Sequence, residues 1–232
     1  MFDTTQRSRS LPIASTVNVA RTLVQVSNQV MNLGVTLDSR LSFDAHISAL
    51  SKSCFYYICA LRHIRPNLTL DCSKNTACSF VGCRLDYANS TLEGISVKTF
   101  LDFNVYQSML ARVVACQLGR ISISKTLQEL HWLPIKWRID YKVATLTYKL
   151  LESGESTYLR SRITSKIFRR ELRSSADDRQ LQPCSSHTKI GSCAFRCAAP
   201  ATWNYLPYDI RAAPSVSISR SRLKTHYFKL AF

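Results

Sequence analysis

The sequence predicts an α+β fold that is mostly α-helical, with a short N-terminal β-hairpin, a bundle of amphipathic helices and a small C-terminal segment of strand and helix. Three observations support this fold class. Residues 22–38 alternate between apolar and polar side chains and are rich in β-branched types. From Ser42 onward, apolar residues recur with the spacing of a helix. Apolar residues also make up 46% of the 232 residues, which is enough to build a core.

The β-branched stretch TLVQVSNQVMNLGVTLD covers residues 22–38. It predicts two short strands on either side of a turn at Ser27–Asn28, because serine and asparagine favour turns. Gly34 permits a bend or a bulge near the end of this stretch.

Three helices are predicted next. The first begins after Ser42, whose hydroxyl suits an N-cap, and ends before Pro66. Thr69 can cap the second helix in the same way. The third helix spans roughly residues 98–117.

Another long helix is predicted within residues 133–154, after a short helix that follows Ser124. Pro134 suits its first turn and Gly154 its C-terminal end. Its apolar face consists of Ile135, Ile139, Val143, Leu146 and Leu150.

The remainder of the chain is less regular. Residues 164–182 are rich in arginine and serine and predict a mobile linker. One or two short strands are expected near 181–199, and a last helix from about Ser215. The resulting division is 1–41 for the polar N-terminus and strands, 42–163 for the helical domain, 164–182 for the linker and 183–232 for the C-terminal extension.

The chain is strongly basic, with 31 Lys and Arg against 15 Asp and Glu and a formal net charge of +16. Residues from 117 onward carry 20 of the basic and 8 of the acidic residues. This excess indicates an anionic partner that binds the second half of the chain, with a basic globular protein of no specific partner as the alternative.

The chain contains nine cysteines. The N-terminal residues MFDTTQRSRS contain no apolar run, so they do not have the pattern of a signal peptide. We therefore expect free thiols in a reducing compartment, the nucleus or the cytoplasm. No stretch approaches the ~18 apolar residues of a membrane span, so no membrane partner is expected.

Catalytic motifs are not predicted. The pair Asp177–Asp178 lies in the polar stretch SSADDRQ, and no apolar strand would hold it as a two-metal site requires. No nucleophile motif and no glycine-rich phosphate loop occurs, and His131 is expected to be a buried residue. We expect no cofactor, no metal site and no small-molecule substrate.

A zinc site is the alternative that the cysteines leave open. The residues Cys184, His187, Cys193 and Cys197 supply four ligand types within a short segment. Their spacing only approximates that of a zinc knuckle. Unrelated free cysteines are the other interpretation, and the sequence does not decide between the two.

The helix within 133–154 carries a pattern typical of nucleic-acid binding. Arg138, Lys142 and Lys149 share one flank, where they could bind phosphates. Its aromatic residues Trp137, Tyr141 and Tyr148 share another face and could stack on bases, or could instead pack on a second layer of helices. A second basic cluster follows near the C-terminus, with Arg220, Arg222 and Lys224 as its predicted binding residues.

Five blocks of the sequence together resemble a known family. They are NLGVTLDSRLSFDAHI (32–47), LTLDCSKNTACSFVGCRLDYANS (68–90), LQELHWLPIKWRIDYKVATLTYKLL (127–151), GSCAFRCAAPATWNYLPYDIRAA (191–213) and SRLKTHYF (221–228). In this order they resemble the C-terminal part of the reverse transcriptase of non-LTR (LINE-type, jockey-like) retrotransposons, over about residues 20–232.

The resemblance implies that NLGVTLD closes a polymerase palm and that the following helices correspond to a thumb and a C-terminal extension. The family's catalytic tyrosine-x-Asp-Asp motif is absent from the chain. The implied function is therefore a truncated, non-catalytic fragment that binds RNA or an RNA–DNA duplex. The alternatives are a decayed element product without activity, or a polymerase whose catalytic part lies upstream.

Overall fold

A computed structural model of the chain describes residues 15–92, 97–117, 121–154, 156–166 and 179–232. These residues are mostly helical, with short antiparallel strands near the N-terminus, which confirms the predicted fold class. The first 14 residues, most of the Arg- and Ser-rich stretch and the Asp177–Asp178 pair lie outside the described residues. Among the described helices, none combines the length and the hydrophobicity that crossing a bilayer requires.

The N-terminal strands form two separate hairpins rather than the single one predicted. The four strands are β1 (Thr16–Val19), β2 (Thr22–Gln25), β3 (Gln29–Asn32) and β4 (Val35–Asp38). Strand β1 pairs with β2, and β3 pairs with β4, in both cases antiparallel. The Ser27–Asn28 segment therefore connects two hairpins instead of forming the tip of one.

Backbone conformation at the two tips explains this difference. Ala20 and Arg21 at one tip, and Leu33 and Gly34 at the other, all have positive φ angles. Two consecutive residues with positive φ form the two-residue turn that best fits the twist of a hairpin. Gly34 adopts this conformation freely, whereas an Ala–Arg pair gives no sequence signal for it. The turn between β1 and β2 was therefore missed.

The first long helix, α1 (Asp44–Ile64), begins with a cap that the sequence did not indicate. We predicted Ser42 as the N-cap, but Phe43 holds that position with φ 60° and no side-chain cap. The carboxylate of Asp38 instead accepts hydrogen bonds from the backbone N–H of Ser42 at 3.1 Å and of Phe43 at 2.8 Å. The end of β4 thus fixes the start of α1.

Four further α-helices and a π-helical turn pack with α1 around a first hydrophobic cluster. Thr69 caps α2 (Leu70–Ala77) as predicted, since its hydroxyl accepts a hydrogen bond from Cys72 N–H. The chain then continues through a π-helical turn (Cys78–Gly82) into α3 (Cys83–Asp86), and through α4 (Val97–Val114) and α5 (Ile123–Glu129). The most deeply buried apolar residues here include Cys54, Ile58, Val81, Phe103, Ala111 and Val114.

The helix α6 (Ile135–Glu152) contributes to this cluster and to a second one. Ile135 and Ile139, in its first two turns, are buried in the first cluster. Val143, Tyr148 and Leu150 are buried in the second. Pro134 occupies the N-cap position of α6. Helix α6 therefore lies between two layers of the protein.

The C-terminal part is helical where strands were expected. It contains α7 (Thr157–Arg160), α8 (Lys189–Cys193), α9 (Phe195–Tyr205), α10 (Tyr208–Arg211) and α11 (Val216–Ala231). The prediction of strands near 181–199 is wrong, since the described residues there form only an isolated bridge between Ser165 and Leu181. The alanines of α9 favour helix, and its buried residues Ala199 and Trp203 lie one turn apart. The last helix starts where it was predicted, at Ser215, whose hydroxyl caps α11 by accepting a hydrogen bond from Ile218 N–H.

The aromatic face of α6 packs on these C-terminal helices. Tyr148 is 1% exposed, and its hydroxyl donates a hydrogen bond to the Ala213 carbonyl at 2.6 Å. The ring of Trp137 lies 5.5 Å from that of Tyr227. Of the two interpretations of this face, packing against a second layer of helices is therefore the one that the structure supports. Tyr148 is inaccessible to nucleic-acid bases.

The Asp38 cap predicts a pH-dependent contribution to stability. Burial raises the pKa of Asp38, but hydrogen bonds from Ser42, Arg40 and Phe43 outweigh burial and leave the pKa below its ordinary value of 3.8. A carboxyl whose pKa is lower in the folded than in the unfolded state stabilises the fold above its unfolded pKa. That contribution is lost as the pH falls through the lower folded pKa.

We expect Asp38→Ala to lower the free energy of unfolding by about 1 kcal/mol at neutral pH, in urea denaturation. The difference from wild type should shrink as the pH falls through the lowered folded pKa of Asp38, because protonation removes the carboxylate that accepts these hydrogen bonds. Glu129→Ala, at the exposed end of α5, is the control for loss of a carboxylate. An equal destabilisation by both substitutions would contradict the assigned cap.

The position of α6 predicts that both clusters unfold together. Ile139→Ala in the first cluster and Leu150→Ala in the second should each cost about 2–5 kcal/mol. Both substitutions should move one common denaturation transition, followed by circular dichroism and tryptophan fluorescence. Leu101→Ala, which alters an exposed residue of α4, should have little effect. Two separate transitions, each sensitive to one substitution, would refute the coupling.

Candidate nucleic-acid interface

A cavity of about 600 Å³ lies between α3, α6 and α11. Five basic residues line it, and we call it the basic groove: Arg138, Lys142, Lys149, Arg220 and Lys224. Five of the six binding residues predicted from the sequence thus meet at one place. They come from two helices that are far apart in the chain.

Helix geometry explains why these side chains share the groove. Arg138, Lys142 and Lys149 recur at helical spacing and so lie along one flank of α6. Arg220 and Lys224 are one turn apart on α11. Each helix buries its opposite side in the second cluster, which leaves the basic flanks facing the groove.

The relative direction of α6 and α11 follows from their contacts. Tyr148, near the end of α6, bonds to Ala213, just before α11. Trp137, near the start of α6, contacts Tyr227 near the end of α11. The two helices therefore run antiparallel, and this arrangement places Arg220 beside the middle of α6.

An acidic residue at the end of α3 pairs with one of the groove cations. The Arg138 guanidinium donates from Nε to Oδ1 of Asp86 at 2.8 Å and from Nη2 to Oδ2. Lys142 donates from Nζ to the Asp86 backbone carbonyl at 3.2 Å. The charge of Arg138 is thus compensated, so this residue holds the wall of the groove together.

The other four basic side chains face solvent. Lys142, Lys149, Arg220 and Lys224 are exposed. The salt bridges found among the described residues, Arg138–Asp86 and Arg179–Glu152, involve none of these four. Asp86 is the acidic residue among the described lining residues, so the groove carries a clear positive excess. An arrangement of this kind attracts phosphate and other anions.

Polar groups without charge also line the groove. The Arg220 Nε donates to the Tyr141 hydroxyl at 3.4 Å, which links the two helices. The Thr145 hydroxyl oxygen is buried and has no hydrogen-bond partner among the described residues. Gln107 is buried and donates to the Leu133 carbonyl at 2.7 Å. These uncharged groups therefore link or underlie the walls of the groove.

The interior of the groove is apolar. Leu85, Leu110 and Leu133 are almost fully buried at its base. Trp132 and Leu146 are half-buried and remain accessible from inside it. His131 also lines the groove and is exposed, so the expectation that it is buried is wrong. Its position follows the end of α5, where its φ angle is positive.

Arg222 is the predicted binding residue that the fold does not bring to the groove. Its guanidinium Nη1 donates to the Asp209 carbonyl at 2.6 Å. It lines a separate, smaller cavity with Lys229 on another side of α11. Arg222 lies two residues after Arg220, which is about half a turn around the helix, so the two side chains point to different sides of α11.

Sequence reasoning missed several residues of this site. Asp86 gave no usable signal, because its partner Arg138 is distant in the chain. Tyr141 was assigned to the aromatic face, yet it borders the groove through its hydroxyl. Thr145 could have been predicted as a lining residue from its spacing, because it lies three residues after Lys142 and four before Lys149 and so shares their flank of the helix.

The possible zinc ligands do not converge. No group of three or more His, Cys, Asp or Glu side chains within the described ranges could hold a metal ion. A hydrogen bond with the Cys184 thiol, together with burial, raises the pKa of Cys197. Cys193 belongs to the short helix α8, and neither Cys193 nor His187 forms a group of three potential ligands with this pair.

Comparison with known proteins assigns no family. No protein-family model, no curated protein and no solved structure matches the chain. The function is therefore inferred from the groove itself.

We expect Asp86→Asn to strengthen binding of polyanions, because it removes a negative charge from the groove and releases Arg138. The protein should leave a heparin column at higher salt than wild type. The stability cost should stay below about 1 kcal/mol, since the Asp86 side chain is 40% exposed.

The matched control is Asp209→Asn, which makes the same charge change outside the groove. An equal shift in heparin elution for both variants would mean that only net charge matters. That result would contradict a specific role for Asp86 at the groove wall.

Proposed function

We propose that this chain binds the phosphate backbone of nucleic acid through the basic groove, with an RNA–DNA duplex as the expected ligand. The observation that carries the proposal is the convergence of cations from α6 and α11 on one groove. The resemblance of the sequence to the C-terminal region of non-LTR retrotransposon reverse transcriptases supports the same conclusion.

Electrostatics supplies the physical basis of this binding. Each phosphate that a lysine or arginine neutralises releases condensed counterions, which favours association at low salt. Contacts of this kind fix position on a duplex without reading its sequence. Lys142, Lys149, Arg220 and Lys224 are exposed and suited to such contacts. The overall charge of +16 adds long-range attraction.

The proposed role is non-catalytic. We assign no catalytic residue, because the described acidic residue at the groove, Asp86, is engaged by Arg138. The tyrosine-x-Asp-Asp motif of the resembling family does not occur in the chain. We therefore propose a fragment of reverse-transcriptase type that holds nucleic acid in the nucleus or cytoplasm and performs no chemistry alone.

A matched pair of double variants on α11 tests the proposal. Arg220→Gln with Lys224→Gln removes two cations from the groove, whereas Arg222→Gln with Lys229→Gln removes two from another side of the same helix. Affinity for an RNA–DNA duplex should be measured by fluorescence anisotropy at several salt concentrations.

The groove variant should lose affinity, and its negative slope of log K against log salt should become shallower by about 1–2, because each phosphate contact contributes about 0.7–0.9 to the magnitude of the slope. The control variant should stay close to wild type. Equal losses in both variants would show that binding is diffuse. Absence of salt-dependent binding by the wild-type protein would refute the proposed function.

A further inference from the structure

The shape of the basic groove is concave, and its interior is apolar. Its volume of about 600 Å³ falls in the range of pockets that enclose small ligands, about 300–1,000 Å³. A duplex is a convex rod with its bases paired and stacked inside. Its phosphates could contact the rim of the groove, but nothing in an intact duplex would fill the interior.

We propose that the basic groove accepts a single nucleotide unit, with its phosphates at the cationic rim and its base in the apolar interior. This inference rests on the proposed function and specifies what enters the site. The ligand is either a free nucleotide or the unpaired end of a nucleic-acid strand, since both present a phosphate joined to an exposed base.

The rim supplies the phosphate contacts. Lys142 and Lys149 are two turns apart on α6, and Arg220 and Lys224 face them from α11. All four side chains are exposed, so a phosphate group can reach their charged ends directly from solvent. Cations on two opposing walls hold an anionic group between them more firmly than a single basic helix would.

The interior supplies the base contacts. Trp132 offers an aromatic ring, and Leu146 an aliphatic surface, both half-buried and accessible within the groove. Bases stack on such surfaces with little dependence on sequence. The Thr145 hydroxyl lies on the same flank of α6 and has no partner among the described residues, but its oxygen is buried, so the base contacts rest on Trp132 and Leu146. Apolar surface below a cationic rim is the combination that a nucleotide requires and that phosphate alone does not.

Binding of strand ends provides the first test. Affinities for a blunt RNA–DNA duplex, for the same duplex with a three-nucleotide 3′ overhang, for ATP and for inorganic tripolyphosphate should be measured under one salt condition. We expect the overhang to bind roughly tenfold more tightly than the blunt duplex, because an unpaired base can stack in the interior. ATP should compete more effectively than tripolyphosphate.

A variant that fills the interior sharpens this test. Leu146→Trp should remove the preference for the overhang, because the larger side chain fills the space that an unpaired base would occupy. Leu101→Trp, at an exposed position of α4 away from the groove, is the matched control and should retain the preference.

Cysteine footprinting of the wild-type protein gives an independent readout that needs no variant. Cys72 and Cys78 are both exposed. Cys78 lines the groove and Cys72 does not. Burial raises the pKa of the Cys78 thiol, so alkylation should be followed at alkaline pH by mass spectrometry. ATP or the overhang should slow alkylation of Cys78 severalfold and leave Cys72 unaffected.

The outcomes separate the two proposals. Equal affinity for blunt and overhanging duplexes, with no protection of Cys78, would overturn the nucleotide site but leave duplex binding intact. Competition by tripolyphosphate equal to that by ATP would also overturn it. Loss of salt-dependent binding to every nucleic acid would refute the proposed function itself. Protection by ATP identifies free nucleotides as ligands, and protection by the overhang alone identifies strand ends.

Discussion

Packing of helix α6 on two sides is the constraint on which the rest of the structure depends. Its first turns are buried with α1–α5, and its later turns with α9 and α11. A helix enclosed in this way has only a narrow flank left for solvent. On α6 that flank carries Arg138, Lys142 and Lys149, and the groove forms beside it. Burial of the aromatic face and exposure of the basic flank are thus two results of one packing arrangement.

Contacts between the helices determine how the charged side chains are arranged in the groove. Asp86 at the end of α3 ties down Arg138, and the Tyr141 hydroxyl accepts a hydrogen bond from Arg220 of α11. These contacts fix the three walls relative to one another. The remaining cations extend from backbone that these contacts hold in place, so the conformational entropy lost when they bind an anion is mainly that of their own side chains.

Local signals predicted what depends on a single segment. The helical spacing of residues 133–154 indicated α6 and its basic flank, and Thr69 and Ser215 indicated the starts of α2 and α11. Features that depend on distant residues were missed, such as capping of α1 by Asp38 and pairing of Asp86 with Arg138. The Ala20–Arg21 turn and the helix at 195–205 were missed because their residue types also fit other local structures. Arg222 was grouped with Arg220 by proximity in sequence, whereas helical rotation separates them.

The shared position of α6 also has a consequence for thermal behaviour. A molecule that binds only the folded protein raises its melting temperature by mass action. Because the groove is lined by a helix that belongs to both hydrophobic clusters, its occupant stabilises α1 and α9 together, although it need not touch either. Melting curves of the whole chain thus report occupancy of a site that comprises only a small part of its surface.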